Sequence, residues 1–152
     1  MTTTNLIEQT TSVSADRRVQ FAAYVLTAIG VVDLIRGFMH TFNIRYAAAN
    51  IAQVDLSAAM AGDFLMVMSA FGISNYVTGM LAILIAFRAK KLAPLVLAII
   101  PAAYLLGIIG MQMARVERSA AFNGRYMMFV YLALCALTAL YVYLPRWLGR
   151  DG

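Results

Sequence analysis

Four predominantly apolar segments of membrane-spanning length dominate this chain. Each is 19–24 residues long, and together they cover residues 19–39, 64–87, 92–113 and 126–144. A helix needs roughly 20 residues, at about 1.5 Å per residue, to cross about 30 Å of hydrocarbon. Lipid offers no hydrogen-bond partners to free backbone groups, so a segment inside a bilayer forms a helix or joins a closed barrel. The segments lack the ten-residue alternation of a membrane barrel. We therefore predict an all-α protein, a bundle of four transmembrane helices.

The composition agrees with a membrane protein and disfavours a soluble one. The 152 residues are 62% hydrophobic and 12% charged, whereas a soluble domain is about half apolar and about a quarter charged. A globule of this size could not keep that much apolar surface away from water. The net charge of +5 comes mainly from basic residues near the segment ends, and it gives no separate support for nucleic-acid binding.

Metal and disulfide chemistry within one chain is disfavoured by residue counts alone. The chain has one cysteine, Cys135, and one histidine, His40. One cysteine cannot build a disulfide framework. One histidine and one cysteine are too few for a zinc site or a bis-histidine haem. We predict no metal site, and the sequence identifies no cofactor.

The chain divides into a short tail and one domain. Residues 1–16 are polar and rich in threonine, and we expect a flexible N-terminal tail. Residues 17–152 form the single four-helix domain. Four spans place both termini and the 88–91 turn on one side, with seven lysine and arginine residues against four on the other side. The positive-inside rule therefore predicts a multi-pass protein of the cell inner membrane with both termini in the cytoplasm.

The connections between the segments differ in length. The short "RAKK" turn at residues 88–91 predicts that the second and third helices are antiparallel neighbours. More than twenty residues join the first and second helices, and Ile44, Ala47, Ala48 and Ile51 recur there at helical spacing. We expect a short amphipathic helix on the outer membrane face, although an irregular loop remains open. Either Asp55 or Ser57 could then cap the next helix.

Small residues recur at spacings of three and four on the first three segments. Such stripes let helix backbones approach closely, where packing and interhelical hydrogen bonds drive association in lipid. They also allow a homodimer. The stripes are Gly30, Asp33 and Gly37, then Gly72, Asn75 and Gly79, then Gly107, Gly110 and Ala114.

Three ionisable residues share one face at the end of the first segment. With Asp33 as reference, His40 lies about 20° away around the helix and Arg36 about 60° away, on the same side. A lone charge at the bilayer centre costs at least ~2.5–3.5 kcal/mol, so such groups pair or line wet cavities. Asp33 and Arg36 have the i,i+3 spacing of an ion pair, and His40 lies at the interface, where its environment decides its charge.

Antiparallel helices bring further polar residues to the same end of the bundle. We include Asp63, Asn75, Tyr104 and Gln112 with Asp33, Arg36 and His40 as candidate ligand-binding residues. Three interpretations remain open. The cluster could be a structural network that fixes helix register, a binding or catalytic pocket that opens outward, or part of a proton or ion path.

The motif "RGFMH" at residues 36–40, together with the four-helix topology, resembles the DoxX-like group of small bacterial membrane proteins. The match rests on Arg36, Gly37 and His40. The resemblance implies an accessory subunit with respiratory or sulfur-redox partners.

Two functions follow from these observations. The first is an accessory or ligand-binding membrane subunit with an outer-leaflet polar pocket. The alternative is a small membrane enzyme acting on a lipid or quinone-like substrate, with His40 as acid or base and Asp33 orienting it. The expected partners are membrane lipid, a hydrophobic ligand such as a quinone, and a second copy of the chain or a larger membrane complex.

Overall fold

The structure, a computed structural model, describes residues 3–116 and 124–148. In these ranges the regular elements are all helical. They are α1 (Thr3–Thr41), the short α2 (Ile44–Tyr46), α3 (Ala61–Arg88), α4 (Ala93–Met113) and α5 (Gly124–Trp147). Four stretches of the described chain are long and apolar enough to cross a membrane: Ala15–Thr41, Ala61–Arg88, Lys90–Met113 and Gly124–Pro145. The predicted all-α bundle of four membrane-length helices is confirmed.

The first helix begins earlier than the sequence indicated. Its backbone is helical from Thr3, within the segment predicted to be a flexible tail. The candidate membrane span found on this helix is Ala15–Thr41. A helix of 39 residues is about 58 Å long, so part of α1 extends beyond the hydrocarbon. The flexibility of residues 1–16 stays a prediction.

The central helix of the bundle is α1. It packs against α3, α4 and α5. In its most apolar window 44% of residues are buried, against 17% to 28% in the other three spans. The predicted close pairing of α3 with α4 is wrong, because these helices make few contacts with each other and both pack on α1 instead. The short turn between them fixes only where their ends meet.

Glycines set the crossing of α1 and α3. A methyl group added at Gly30 would lie 2.8 Å from the carbonyl oxygen of Gly79, and one added at Gly79 would lie 2.7 Å from that of Gly30. Gly72 lies equally close to the end of α1, at His40 and Thr41. The two backbones therefore touch without side chains between them, as the first two predicted stripes required.

The third predicted stripe, on α4, makes no such contact. A methyl group added at Gly107 or Gly110 would meet nothing within 4 Å among the described residues. The buried residues of α4 lie at its other end, at Ala93, Pro94 and Leu97. Helix α4 therefore joins the core through its first turns rather than through its glycines.

The connection after α1 contains the predicted short helix. It runs through α2 and continues as a π-helix over Ala47–Ile51, with Ala47 and Ala48 buried and Arg45 and Asn50 exposed. The segment ends at Gln53, which has φ 54°. The N–H of Val54 then donates to the Ala48 carbonyl oxygen at 3.0 Å, an arrangement typical of helix C-termini.

The predicted cap on α3 is wrong. Asp55 Oδ1 accepts hydrogen bonds from the Ser57 hydroxyl at 2.6 Å and the Ser57 N–H at 2.8 Å. These bonds lower the pKa of Asp55 below its usual value, because they stabilise the carboxylate. Helix α3 begins later, at Ala61 after Met60, with no side-chain cap. Asp55 thus closes a turn within the loop and does not cap α3.

Candidate functional site

A polar network lies inside the bundle, near the end of α1. Asp33 is about 12 Å along the helix from Thr41, the last residue of α1, and it is 6% exposed. Helices α3 and α5 both pack on α1 but make few direct contacts with each other. Two helices that pack on a third without meeting leave a groove along it. Asp33 is buried between the two helices, where Thr78 of α3 and Tyr131 of α5 both reach its carboxylate.

The Asp33 carboxylate joins three helices. The Tyr131 hydroxyl of α5 donates to Oδ2 at 3.0 Å, and Arg36 Nη1 donates to Oδ1 at 3.4 Å. The Thr78 hydroxyl of α3 lies 3.5 Å from Oδ2. That hydroxyl is also close to two carbonyl oxygens of its own helix, so Tyr131 is the stronger cross-helix donor. The structure confirms the predicted pairing of Asp33 with Arg36.

Arg36 has hydrogen-bonding capacity that the protein does not use. Its guanidinium carbon lies 5.8 Å from the centre of the Tyr131 ring, within cation–π range. Among the described residues, its Nε is buried and has no hydrogen-bond partner. A guanidinium has five N–H donors, and a buried donor without an acceptor costs about 1–3 kcal/mol. Arg36 Nε is therefore a donor that no acceptor of the described chain reaches.

His40 is held by Asn75 rather than by Asp33. The Asn75 side-chain nitrogen lies 3.4 Å from His40 Nδ1. Because an amide nitrogen only donates, Nδ1 accepts, and a neutral ring carries its proton on Nε2. Asp33 lies about 10 Å from His40 along α1 and makes no hydrogen bond with it in the described chain. The orientation of His40 by Asp33, on which the catalytic hypothesis depended, is absent.

A second hydrogen bond fixes the same end of α1 to α3. The Thr41 hydroxyl lies 2.9 Å from the Gly37 carbonyl oxygen and 3.0 Å from the Tyr76 hydroxyl. Since Thr41 has a single proton to give to Gly37, Tyr76 donates to Thr41. The C-terminal end of α1 is thus joined to α3 by two polar contacts, which lie between Gly72 and Gly79 along α3.

The remaining predicted residues lie at different distances from the network. Asp63 is exposed in the first turn of α3, about 14 Å along the helix from Gly72, which packs on His40. Gln112 is exposed near the end of α4. Neither bonds to the network in the described part of the chain. Tyr104 is half-buried on α4 and lies within electrostatic range of Tyr131.

Sequence reasoning missed Tyr131, which has the shortest hydrogen bond to Asp33. Tyr131 is 98 residues from Asp33 along the chain, and no spacing within a single helix connects the two. One signal could have found it. A hydroxyl buried within a span needs an acceptor, and Asp33 is the sole carboxylate within the four apolar segments.

No metal-binding arrangement appears in the ranges that the structure describes: no three histidine, cysteine or acidic side chains are grouped to hold an ion. Cys135 is buried in the core. The polar groups available for chemistry are therefore Arg36, His40 and the hydroxyl groups around them.

Comparison with known proteins identifies no relative. No protein-family model, no curated protein and no solved structure matches this chain. The resemblance of Arg36, Gly37 and His40 to DoxX-like proteins stays a prediction.

Proposed function

We propose that this small multi-pass membrane protein binds an apolar ligand carrying a hydrogen-bond acceptor, as an accessory or ligand-binding subunit of a membrane complex. The observation that carries the proposal is the buried Arg36 Nε without a partner. A ligand oxygen at this position would remove the cost of that unpaired donor. The ligand would enter through the groove between α3 and α5, from the outer leaflet.

The chemistry of the site narrows the ligand class. Arg36 and His40 are four residues apart on one face of α1, about 6 Å along the helix. Each has an N–H group that meets no acceptor in the described chain, Nε in Arg36 and Nε2 in His40. Two donors one turn apart suit a head group with carbonyl oxygens, such as a quinone.

The assembly role rests on the DoxX-like resemblance of "RGFMH". That resemblance favours a subunit working beside respiratory or sulfur-redox partners in a bacterial inner membrane. The exposed face of α4, where Gly107 and Gly110 meet nothing within the described chain, leaves room for a neighbouring subunit.

The outward position of the site depends on membrane orientation, and we expect both termini in the cytoplasm. Alkaline phosphatase fused after Asn50 should be active, because that loop would be outside. The same enzyme fused after Lys91 should be inactive, because the turn carries basic residues that the positive-inside rule keeps in the cytoplasm. Activity in cells, normalised to fusion abundance, measures this. Activity of the Lys91 fusion alone would indicate the opposite orientation, with the site in the inner leaflet.

Ligand binding is tested with His40→Gln and Arg36→Lys. Glutamine keeps a hydrogen-bond donor but not a ring, and lysine keeps the charge but loses the guanidinium Nε. We expect both variants to fold. Each should bind the ligand more weakly by the free energy of one hydrogen bond, about 0.5–1.5 kcal/mol, or by more at Arg36 if the ligand is charged. Native mass spectrometry of co-purified small molecules, with melting temperature measured alongside, follows both properties.

The matched control is Gln112→Ala. Gln112 is exposed in the same half of the bundle, and it makes no hydrogen bond with the network in the described chain. It should retain as much co-purified molecule as the unchanged protein. Unchanged ligand content in all three variants would contradict the binding function. The polar cluster would then serve only to fix the helices.

An enzyme is the second candidate, and the contact between Asn75 and His40 supports it, because an Nδ1 that accepts from the Asn75 amide leaves a neutral ring with its proton on Nε2. A general acid of this kind typically contributes about 10²–10⁴-fold to a rate. If the protein is an enzyme, His40→Gln should leave the ligand content and the melting temperature unchanged. The rate at which it converts a quinone or lipid substrate should fall by about 10²–10⁴-fold. If His40→Gln binds less ligand and the unchanged protein converts no substrate measurably, the ligand-binding function is favoured.

A further inference from the structure

A second polar site lies at the opposite end of the bundle from Asp33. A partly open cavity of about 320 Å³ is formed where α1 and α4 begin their spans and α5 ends its own. It lies about 26 Å from Asp33 along α1. The residues that line it are Ala15, Asp16, Val19, Lys91, Pro94, Val142 and Tyr143.

The size of the cavity indicates a molecular ligand rather than an ion. At ~30 Å³ per water molecule, it holds about ten waters. It also falls at the lower end of the ~300–1,000 Å³ range of small-molecule sites. Val19, Pro94 and Val142 give it apolar walls, and Tyr143 is half-buried beside them.

The two charges in the cavity have opposite sign and are not paired with each other. Asp16 and Lys91 are both exposed and line the same space, but no ion pair joins them among the described residues. The neighbouring Lys90 points elsewhere and donates to Gln20 Oε1 at 3.0 Å. Lys91 lies at the start of α4, where the helix dipole adds further positive potential. One part of the cavity therefore attracts an anion and another attracts a cation.

The membrane supplies a ligand with this pattern of charges. We propose that the cavity binds the headgroup of an aminophospholipid, with Lys91 at the phosphate and Asp16 at the primary ammonium. Asp16 would repel a purely anionic headgroup, and a choline headgroup has no N–H to donate to it. The cavity lies at the ends of three spans, which is the level of lipid headgroups.

The surface of α4 provides a path for the acyl chains. Leu95 and Ile99 are four residues apart on α4 and share one face of the helix, and Lys91 lies four residues before Leu95, in the turn that leads into α4. Both apolar side chains are about half exposed, Leu95 at 48% and Ile99 at 54%. A lipid whose phosphate contacts Lys91 can therefore lay its chains along α4. A free phosphoethanolamine molecule would lack this contact.

The test uses the full chain in nanodiscs of equal parts phosphatidylethanolamine, phosphatidylcholine and phosphatidylglycerol, with lipids that stay bound counted by native mass spectrometry. We expect phosphatidylethanolamine to be retained preferentially. Lys91→Gln should lower its retention about threefold to fivefold, the upper part of the range that one exposed ion pair supports. Asp16→Asn should abolish the preference for phosphatidylethanolamine over phosphatidylcholine.

Lys90→Gln is the matched control, because it removes the same charge from the same turn but not from the cavity. It should leave the retained lipid unchanged. Free phosphoethanolamine, added at the lipid concentration, should not compete. Equal retention of the three lipids, an equal effect of Lys90→Gln and Lys91→Gln, or full competition by free phosphoethanolamine would each overturn the proposal. Melting temperatures of all variants confirm that each one folds, and the proposed ligand at Arg36 plays no part in the measurement.

Discussion

Gly79→Ala should lower the free energy of unfolding by about 3 kcal/mol, the upper end of the cost of overpacking a close contact. The added methyl group would lie 2.7 Å from the Gly30 carbonyl oxygen and 3.1 Å from Leu34 side-chain atoms. A side chain can turn away from such a clash, but a backbone oxygen in the middle of a helix cannot. The whole of α3 would have to move away from α1. Equilibrium unfolding in detergent measures the loss.

Gly107→Ala provides the matched control for this experiment. It makes the same chemical change in another membrane-length helix, but at a position where a methyl group meets nothing within 4 Å in the described chain. Because alanine favours helix over glycine by up to about 1 kcal/mol, this variant should melt at the same temperature or higher. Equal losses from Gly79→Ala and Gly107→Ala would mean that the backbones of α1 and α3 do not touch.

Arg36→Ala should destabilise the protein by about 3 kcal/mol, because it leaves the buried Asp33 carboxylate without its cation. The double change of Asp33→Asn with Arg36→Gln should restore most of that stability. It removes both charges while keeping side chains that can hydrogen-bond to Tyr131 and Thr78. Detergent melting of the single and double variants on one preparation gives the comparison.

A second arginine in the chain separates charge pairing from ring contact. Arg125 lies 4.9 Å over the Tyr126 ring, as Arg36 lies over Tyr131, but it is exposed. Arg125→Ala should therefore cost only about 0.5–1 kcal/mol, the value of an exposed cation–π contact. If the double variant melts no higher than Arg36→Ala, the pairing with Asp33 contributes nothing. Asp33 would then be held in the membrane as a neutral acid.

The sequence predicted what depends on local spacing. The four spans follow from the length of the apolar segments, and the stripes of Gly30 with Gly37 and Gly72 with Gly79 follow from helical periodicity. The Asp33–Arg36 pair is also local, since its partners are three residues apart. Each of these features needs only one helix and its geometry.

The features that the sequence did not predict depend on which helices are neighbours. A tight turn suggested that α3 and α4 pair, but the glycine contact places α3 on α1. The packing of α5 on α1 makes Tyr131 the partner of Asp33, and the predicted site residues Asp63 and Gln112 are left exposed. No periodicity within a single helix contains this information, because it is decided by how well whole helix faces fit.

The hydrogen bond between Tyr131 and Asp33 has a consequence for how the protein is made. The two residues are 98 positions apart, and at about 5–20 residues per second the ribosome needs roughly 5–20 s to synthesise that interval. Until α3 is inserted, α1 holds the Asp33 carboxyl group in the bilayer with only Arg36 beside it, and until α5 follows it lacks the Tyr131 hydroxyl. The polar network on α1 is thus completed only when the last of the described spans has been made. A translational pause before codon 131 would prolong the exposure of Asp33 to lipid, and it would lengthen the interval in which membrane proteases can recognise the half-made protein.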